Sequence, residues 1–287
     1  MSKGYICIAQ NTGDHDYLSM SYAMALSLKA TQKINNVCLC VDADTRSLLT
    51  GKHYAVFDDI VNIPWHDDAQ YHPSWKIHNK WKYAHMTPYT ETIVLDSDVI
   101  FTENIDHWWT HLTKKDFLAC TNVKTFRGEN VTGDYYRKKF TELNLPNVYT
   151  NFMYFKQSEL TYEITRMTEI IMTNWDVFYE KYLRGIGQNW MSADMAYALA
   201  IRILDVEDLT CDYHIKDVPT FVHMKSYIQN INIVKINSDW TKSLTSQLSD
   251  DLSVMIGNYR QETPVHYVEK HWMTEDKIAI YEKALGI

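Results

Sequence analysis

An α/β fold around parallel strands is what this sequence predicts, and three stretches predict it. "YICIAQ" (5–10) is a short β-type run closed by a polar turn, and "YLSMSYAMALSLKA" (17–30) follows with apolar residues at helical spacing. "NVCLCVD" (36–42) is then a second strand that stops at Asp42. Strand, helix and strand at this spacing make a parallel βαβ unit, in which ligands gather at the carboxyl ends of the strands.

The first helix places Leu18, Tyr22, Ala25 and Leu28 or Lys29 along one side. "FDDIVNIPW" (57–65) holds a third strand. "SWKIHNKWKYAHM" (74–86) has a helical pattern capped at Ser74 or a neighbour, with Lys76, Lys80 and Tyr83 on one face and Ile77, Trp81 and Ala84 on another. In "TIVLDSDVIF" the β-branched residues favour a strand, and it ends in Asp96-Ser97-Asp98. "NFMYF" (151–155) is another apolar segment, helical patterns cover 159–184 and 190–205, and "PTFVHMKS" (219–226) is a last strand with a turn. The closing helix, "TEDKIAIYEKALG" (274–286), takes Thr274 as its cap and Gly286 as its stop. With no repeat and no linker composition, 1–287 is expected to be a single domain.

Composition narrows the function classes. Hydrophobic residues make up 46% of 287 residues, enough for a sizeable core, and 28 basic against 36 acidic residues give a formal net charge of −8. A whole-protein basic field for nucleic acid is therefore absent. Neither a signal-peptide pattern nor a membrane-length apolar run is present, so a cytoplasmic protein without membrane insertion is the expectation. Five cysteines without metal-type spacing read as reduced, structural thiols.

The acidic pair carries the chemistry. An unpartnered buried carboxylate is costly, so Asp96 and Asp98 must reach solvent, find a cation or hold a ligand. Two apart on a strand, they share a face and can grip one hard cation, Mn²⁺ or Mg²⁺, that bridges a diphosphate. They are expected to serve a metal rather than the core. A strand-end acidic pair also occurs in aspartate-nucleophile phosphatases, but the only later Asp-Asp pair is Asp250-Asp251, in a polar stretch. His107 and His111 are spaced as zinc ligands could be, without a third ligand nearby, and His66 and His72 suggest no role.

Taken together, "ICIAQNTGDHDYLSMSYAMALSLK", "KWKYAHMTPYTETIVLDSDVIFTENIDHWW", "TNFMYF", "SADMAYAL" and "FVHMKS" resemble the retaining, nucleotide-sugar-dependent glycosyltransferases of the glycogenin and lipopolysaccharide-galactosyltransferase type. The resemblance implies the GT-A fold, a Rossmann-like nucleotide-diphospho-sugar transferase architecture whose mixed, mostly parallel central sheet is flanked by helices. It implies a nucleotide-binding half (1–113) and a sugar and acceptor half (114–287). The donor would be a nucleotide-diphosphate sugar, a UDP-sugar first among them, and the reaction a hexosyl or pentosyl transfer. By the same resemblance Ala9, Asn11 and Tyr17 hold the nucleoside, and Lys80, Ser97 and Lys225 belong to the donor site. Asp96, Asp98 and His223 hold the metal, while Asp194 and Asn151 face the sugar. A non-catalytic nucleotide-sugar-binding module is the rival of another class.

The C-terminal segment has no polybasic run, which favours a soluble hydroxyl acceptor such as a saccharide. The segment 114–140 is the exception to the acidic balance, with Lys114, Lys115, Lys124, Arg127, Arg137, Lys138 and Lys139 beside Tyr135 and Tyr136. Basic residues interleaved with aromatics suit a nucleic-acid strand, so a modified base in DNA is the alternative acceptor.

Overall fold

The computed structural model describes residues 2–68, 75–131, 137–184, 190–211, 218–224, 246–267 and 269–287. In chain order the strands are β1 (Lys3–Ala9), β2 (Val37–Val41), β3 (Asp59–Asn62), β4 (Glu91–Leu95), β5 (Val99–Ile100), β6 (Phe117–Cys120), β7 (Val123–Lys124) and β8 (Tyr149–Lys156). They continue with β9 (Phe221–His223), β10 (Ser246–Leu248), β11 (Val254–Ile256), β12 (Tyr259–Arg260) and β13 (Val265–His266).

The central sheet has six strands in the order β3-β2-β1-β4-β8-β6. Its first four are parallel, and β8 runs antiparallel to both β4 and β6. The chain moves outward from β1 through β2 to β3 and returns to β4 on the other side of β1. That reversal opens a crevice at the carboxyl ends of β1 and β4, where α/β sheets bind ligands. A four-stranded sheet, β5-β13-β9-β7, and the hairpin-like sheet β10-β11-β12 complete the described strands. This is the mixed, mostly parallel α/β fold that the sequence predicts.

Two helices differ from expectation for physical reasons. Tyr17–Thr31 is capped by Asp16, which accepts from the Ser19 amide, but every residue from Met20 to Leu28 is buried. The C-terminal helix Glu275–Leu285 accounts for part of this, since Tyr22 Oη donates to Glu282 Oε1 at 2.9 Å. A helix that is covered all round needs no single apolar stripe.

The segment expected as a helix over 74–86 is a 3₁₀ turn, His78–Lys82, leading into one α-turn, Tyr83–Met86, and Ser74 lies outside the described residues. Residues i and i+3 of a 3₁₀ turn fall in line. That puts Asn79 and Lys82 together against residues 64–68, where Asn79 binds Asp67, and Lys82 donates to Pro64 O and His66 O.

Core residues pack on both faces of the central sheet. All five cysteines are buried thiols. Among the described residues, no helix is long and apolar enough to cross a membrane.

Candidate functional site

At the crevice, β4 ends at Leu95 and the Asp96 amide donates to Asn151 O on β8 at 3.2 Å. The backbone turns at Ser97 and Asp98, and the next two residues enter the other sheet as β5, paired with β13. The acidic pair thus lies where the chain crosses between sheets rather than along one strand. Pairing β5 with β13 places His266 opposite Val99, and Tyr267 N donates to Asp98 O at 3.1 Å.

The two acids have different partners. Asp96 forms an ion pair with Lys80 from the 3₁₀ turn. Asp98, 2% exposed, meets His266 Nε2 at 3.1 Å and Lys270 Nζ at 2.5 Å, both on Oδ2. Burial pushes the Asp98 carboxyl up, but Lys270 and His266 outweigh it and hold the group well below the usual carboxylate range. Burial lowers Lys80, and the Asp96 charge more than reverses this, so Lys80 stays protonated. The expectation that the pair serves a metal and not the core therefore needs correction for Asp98, which is itself part of the buried structure.

One oxygen each from Asp96 and Asp98 and one nitrogen from His266 lie within 4.8 Å of one another. The imidazole in this group is His266, where the sequence pointed to His223. His223 stands behind it, its Nδ1 3.0 Å from His266 Nδ1. Burial, and then the neighbouring His266 and Arg137, keep His223 far below its ordinary pKa and so neutral. The signal that could have found the pair is the run His266, Lys270, Trp272 that begins at the end of a short strand, a His-then-Lys order like that of His223 and Lys225. Lys225 lies outside the described residues.

A cavity of about 240 Å³ opens beside the group, lined by Ile8, Gln10, Tyr17, Trp75, Lys76, Ile77, Lys80, Asp96, Ser97, Asp98, His266 and Lys270. Tyr17, Lys80, Ser97 and both aspartates are thus brought together as the sequence placed them. Lys270 Nζ lies 5.3 Å from the Tyr17 ring centroid. Ala9 instead packs in the core, and Ile8 and Gln10 on either side of it line the cavity. Asn11 is spent on the turn: its Nδ2 donates to Asp16 Oδ1 at 2.9 Å, and its Oδ1 accepts from the Leu18 amide at 2.8 Å. Gln10 is fixed from several sides, by Asp42 at 3.0 Å, Asp67 at 3.2 Å and Asn79 at 3.0 Å.

Asp194, its side chain 20% exposed, does not cap its helix, a place taken by Ser192. It sits in the first turn of Ala193–Leu204, accepts from Thr150 N at 2.9 Å and Thr150 Oγ1 at 2.6 Å, and pairs with Arg137. Burial raises its carboxyl, but Arg137 and then Thr150 outweigh this and leave it below its ordinary value. The Arg137 guanidinium lies 3.4 Å from the Tyr149 ring centroid and is 5% exposed. It is not part of a basic surface, as the reading of 114–140 had it, and Tyr135 and Tyr136 lie outside the described residues. Asn151 is 4% exposed, and its Nδ2 has no hydrogen-bond partner among the described residues. Asp250 and Asp251 are exposed at a turn, with Asp251 bound to Ser253.

No protein-family profile matches the chain, and no curated protein does. Among solved structures, an active-site mutant of LgtC aligns with a TM-score of 0.53 and 14% identity, covering 99% of this chain and 95% of that one. The galactosyltransferase LgtC in complex with donor and acceptor sugar analogs aligns at 0.52, with the same identity and coverage. Mouse xyloside xylosyltransferase 1 aligns at 0.44 and 10% identity, covering 73% of this chain and 84% of that one. At such identities the likeness is one of fold, and that fold is GT-A.

Proposed function

We propose that this chain is a metal-dependent glycosyltransferase that moves a sugar from a nucleotide-diphosphate donor, a UDP-sugar, to the hydroxyl of a soluble acceptor. The observation that carries the reading is the convergence of Asp96, Asp98 and His266 with Lys80 and Lys270 at the carboxyl edge of β4, beside Tyr17. Two carboxylates and an imidazole make a donor set suited to Mn²⁺ or Mg²⁺. Asp96, Asp98 and His266 would hold such a cation, which would supply positive charge where the nucleoside diphosphate leaves.

The chain's own groups do the rest. Lys80 and Lys270, which neutralise the two aspartates, turn to the phosphate oxygens when donor arrives. Tyr17 offers its ring to the base, and Ser97 lies between the acids within the same cavity. Asp194, kept ionised by Arg137, and the Asn151 amide, with its unspent donor, face the sugar. A fixed carboxylate there stabilises the positive charge that develops at the anomeric carbon as the nucleotide leaves.

The test is turnover. With a panel of UDP-sugars and Mn²⁺, the protein should release UDP by transfer or slow hydrolysis. EDTA should abolish that release, and His266→Ala should weaken it. Thermal stabilisation by the donor without any release of UDP would make the chain a binding module instead. The absence of both stabilisation and release would overturn the reading.

A further inference from the structure

Beyond the donor cavity, the loop after β3 is built around an indole held out in solvent. Trp65 is 65% exposed and has φ of 60°, the left-handed region that bulky residues seldom adopt. Lys82 fixes the loop from beneath. Its fully buried ammonium donates to Pro64 O at 3.2 Å and His66 O at 2.5 Å, on either side of Trp65, and pairs with Asp68 at 2.8 Å. The Trp65 ring lies nearly parallel to that of Trp81, at 8° and 5.8 Å between centroids, with the His85 ring edge-on at 5.1 Å. A desolvated lysine and a strained backbone are costly devices, and here they fix an aromatic ring that buries little of itself. Such strain persists where a ligand uses the geometry.

Trp65 also lines a cavity of about 520 Å³, with Arg46, Ser47, Asn62 and Asp67 around it and Asp42 at its base. A buried wall separates this cavity from the donor cavity: Gln10 donates to Asp42, and Lys76 pairs with Asp42 at 2.8 Å. The charges are balanced. Lys76 pairs with Asp42, and the lining holds one further base, Arg46, and one further acid, Asp67, so the formal charges cancel and no excess of positive charge draws a phosphate. Arg46 donates to Asn62 Oδ1 at 2.9 Å, which holds two planar polar groups together at the rim. An aromatic face beside planar hydrogen-bonding groups matches a pyranose, whose C–H face stacks on an indole while its neighbouring hydroxyls bind amide, guanidinium and carboxylate.

We propose that the Trp65 cavity is a second binding site, for a neutral saccharide, with a sugar ring stacked on Trp65 and hydroxyls held by Arg46, Asn62 and Asp67. The proposal stands apart from the transferase reading, because it requires binding alone. Saturation-transfer NMR titrations with maltohexaose, cellohexaose and a β-galactan tetrasaccharide test it on the full chain. At least one probe should bind at millimolar concentration or below. Trp65→Ala should weaken that binding about tenfold or more, the equivalent of about 1.4 kcal/mol. Asn62→Ala, at an exposed strand end, should weaken it severalfold, whereas Tyr17→Ala, in the other cavity, should leave it unchanged. Binding by none of the three probes, equal affinity in Trp65→Ala, or loss of binding in Tyr17→Ala would each overturn the proposal.

Discussion

Asp96 and Asp98 sit one residue apart, yet two different regions of the molecule hold them. The Asp96 side chain is 19% exposed and is held by Lys80, a neighbour 16 positions earlier in the chain. The Asp98 side chain is 3% exposed, and its partners His266 and Lys270 stand 168 and 172 positions later. The first acid belongs to the βαβ half that ends at β4. The second is tied to the sheet that β5 and β13 build together. An acidic pair is thus two contacts with different costs of removal, since a buried carboxylate with two partners is harder to lose than a partly exposed one with a single partner.

The sharpest way to break this comparison is to remove each acid. Asp98→Ala should abolish donor turnover and also destabilise the fold by about 3–5 kcal/mol, because it leaves Lys270 and His266 facing a buried void without a counter-charge. Asp96→Ala should stop turnover with a much smaller fall in Tm, since its side chain and that of Lys80 both reach solvent. Thermal melts and UDP release on the two variants check this, and equal losses of Tm would show that the two acids are held alike.

The lysines should give a smaller effect. Lys80→Ala should weaken donor binding by about 1.5–3 kcal/mol, the range for a hydrogen bond to a charged group. Lys80→Arg should rescue it only in part, because a planar fork does not replace a compact point charge. Lys270→Ala should cost a similar amount in donor binding and, unlike Lys80→Ala, should also lower Tm by exposing Asp98 to burial with His266 alone. Donor titrations and melts separate the two. If Lys270→Ala left Tm unchanged, the long-range hold on Asp98 would be the weaker one.

The smallest effect concerns Asp194, which is held by Arg137 much as Asp98 is held by Lys270. Its folded pKa lies below the ordinary carboxylate value of about 3.9. A carboxyl depressed on folding stabilises in full above its unfolded value, and that stability is lost as pH falls towards the folded one. The Tm advantage of the wild type over Asp194→Asn should therefore be constant from about pH 7 to 5 and shrink below about pH 4. A gap that stayed flat down to pH 3 would mean that Arg137 does not depress the carboxyl.

Much of the fold was legible because it is local. Alternating strands and a helix at βαβ spacing, an apolar strand that stops at two carboxylates, and Thr274 and Gly286 at the ends of the last helix are all set by backbone geometry within a few residues. Tyr17, Lys80, Ser97, Asp96 and Asp98 came with those elements, because the carboxyl end of a parallel strand is where the sheet opens. What only the tertiary structure decided was which distant residues complete the site. His266 ends a two-residue strand with no periodic signature and Lys270 follows it, and they reach Asp98 only because β13 pairs with β5 across more than half the chain. Arg137 reads as one more base in a basic segment until packing drives it against Tyr149 and onto Asp194. Local pattern is written in the torsions and spacing of neighbouring residues, whereas a pairing across such a distance depends on which surfaces meet once the sheets close, and no short stretch of sequence carries that choice.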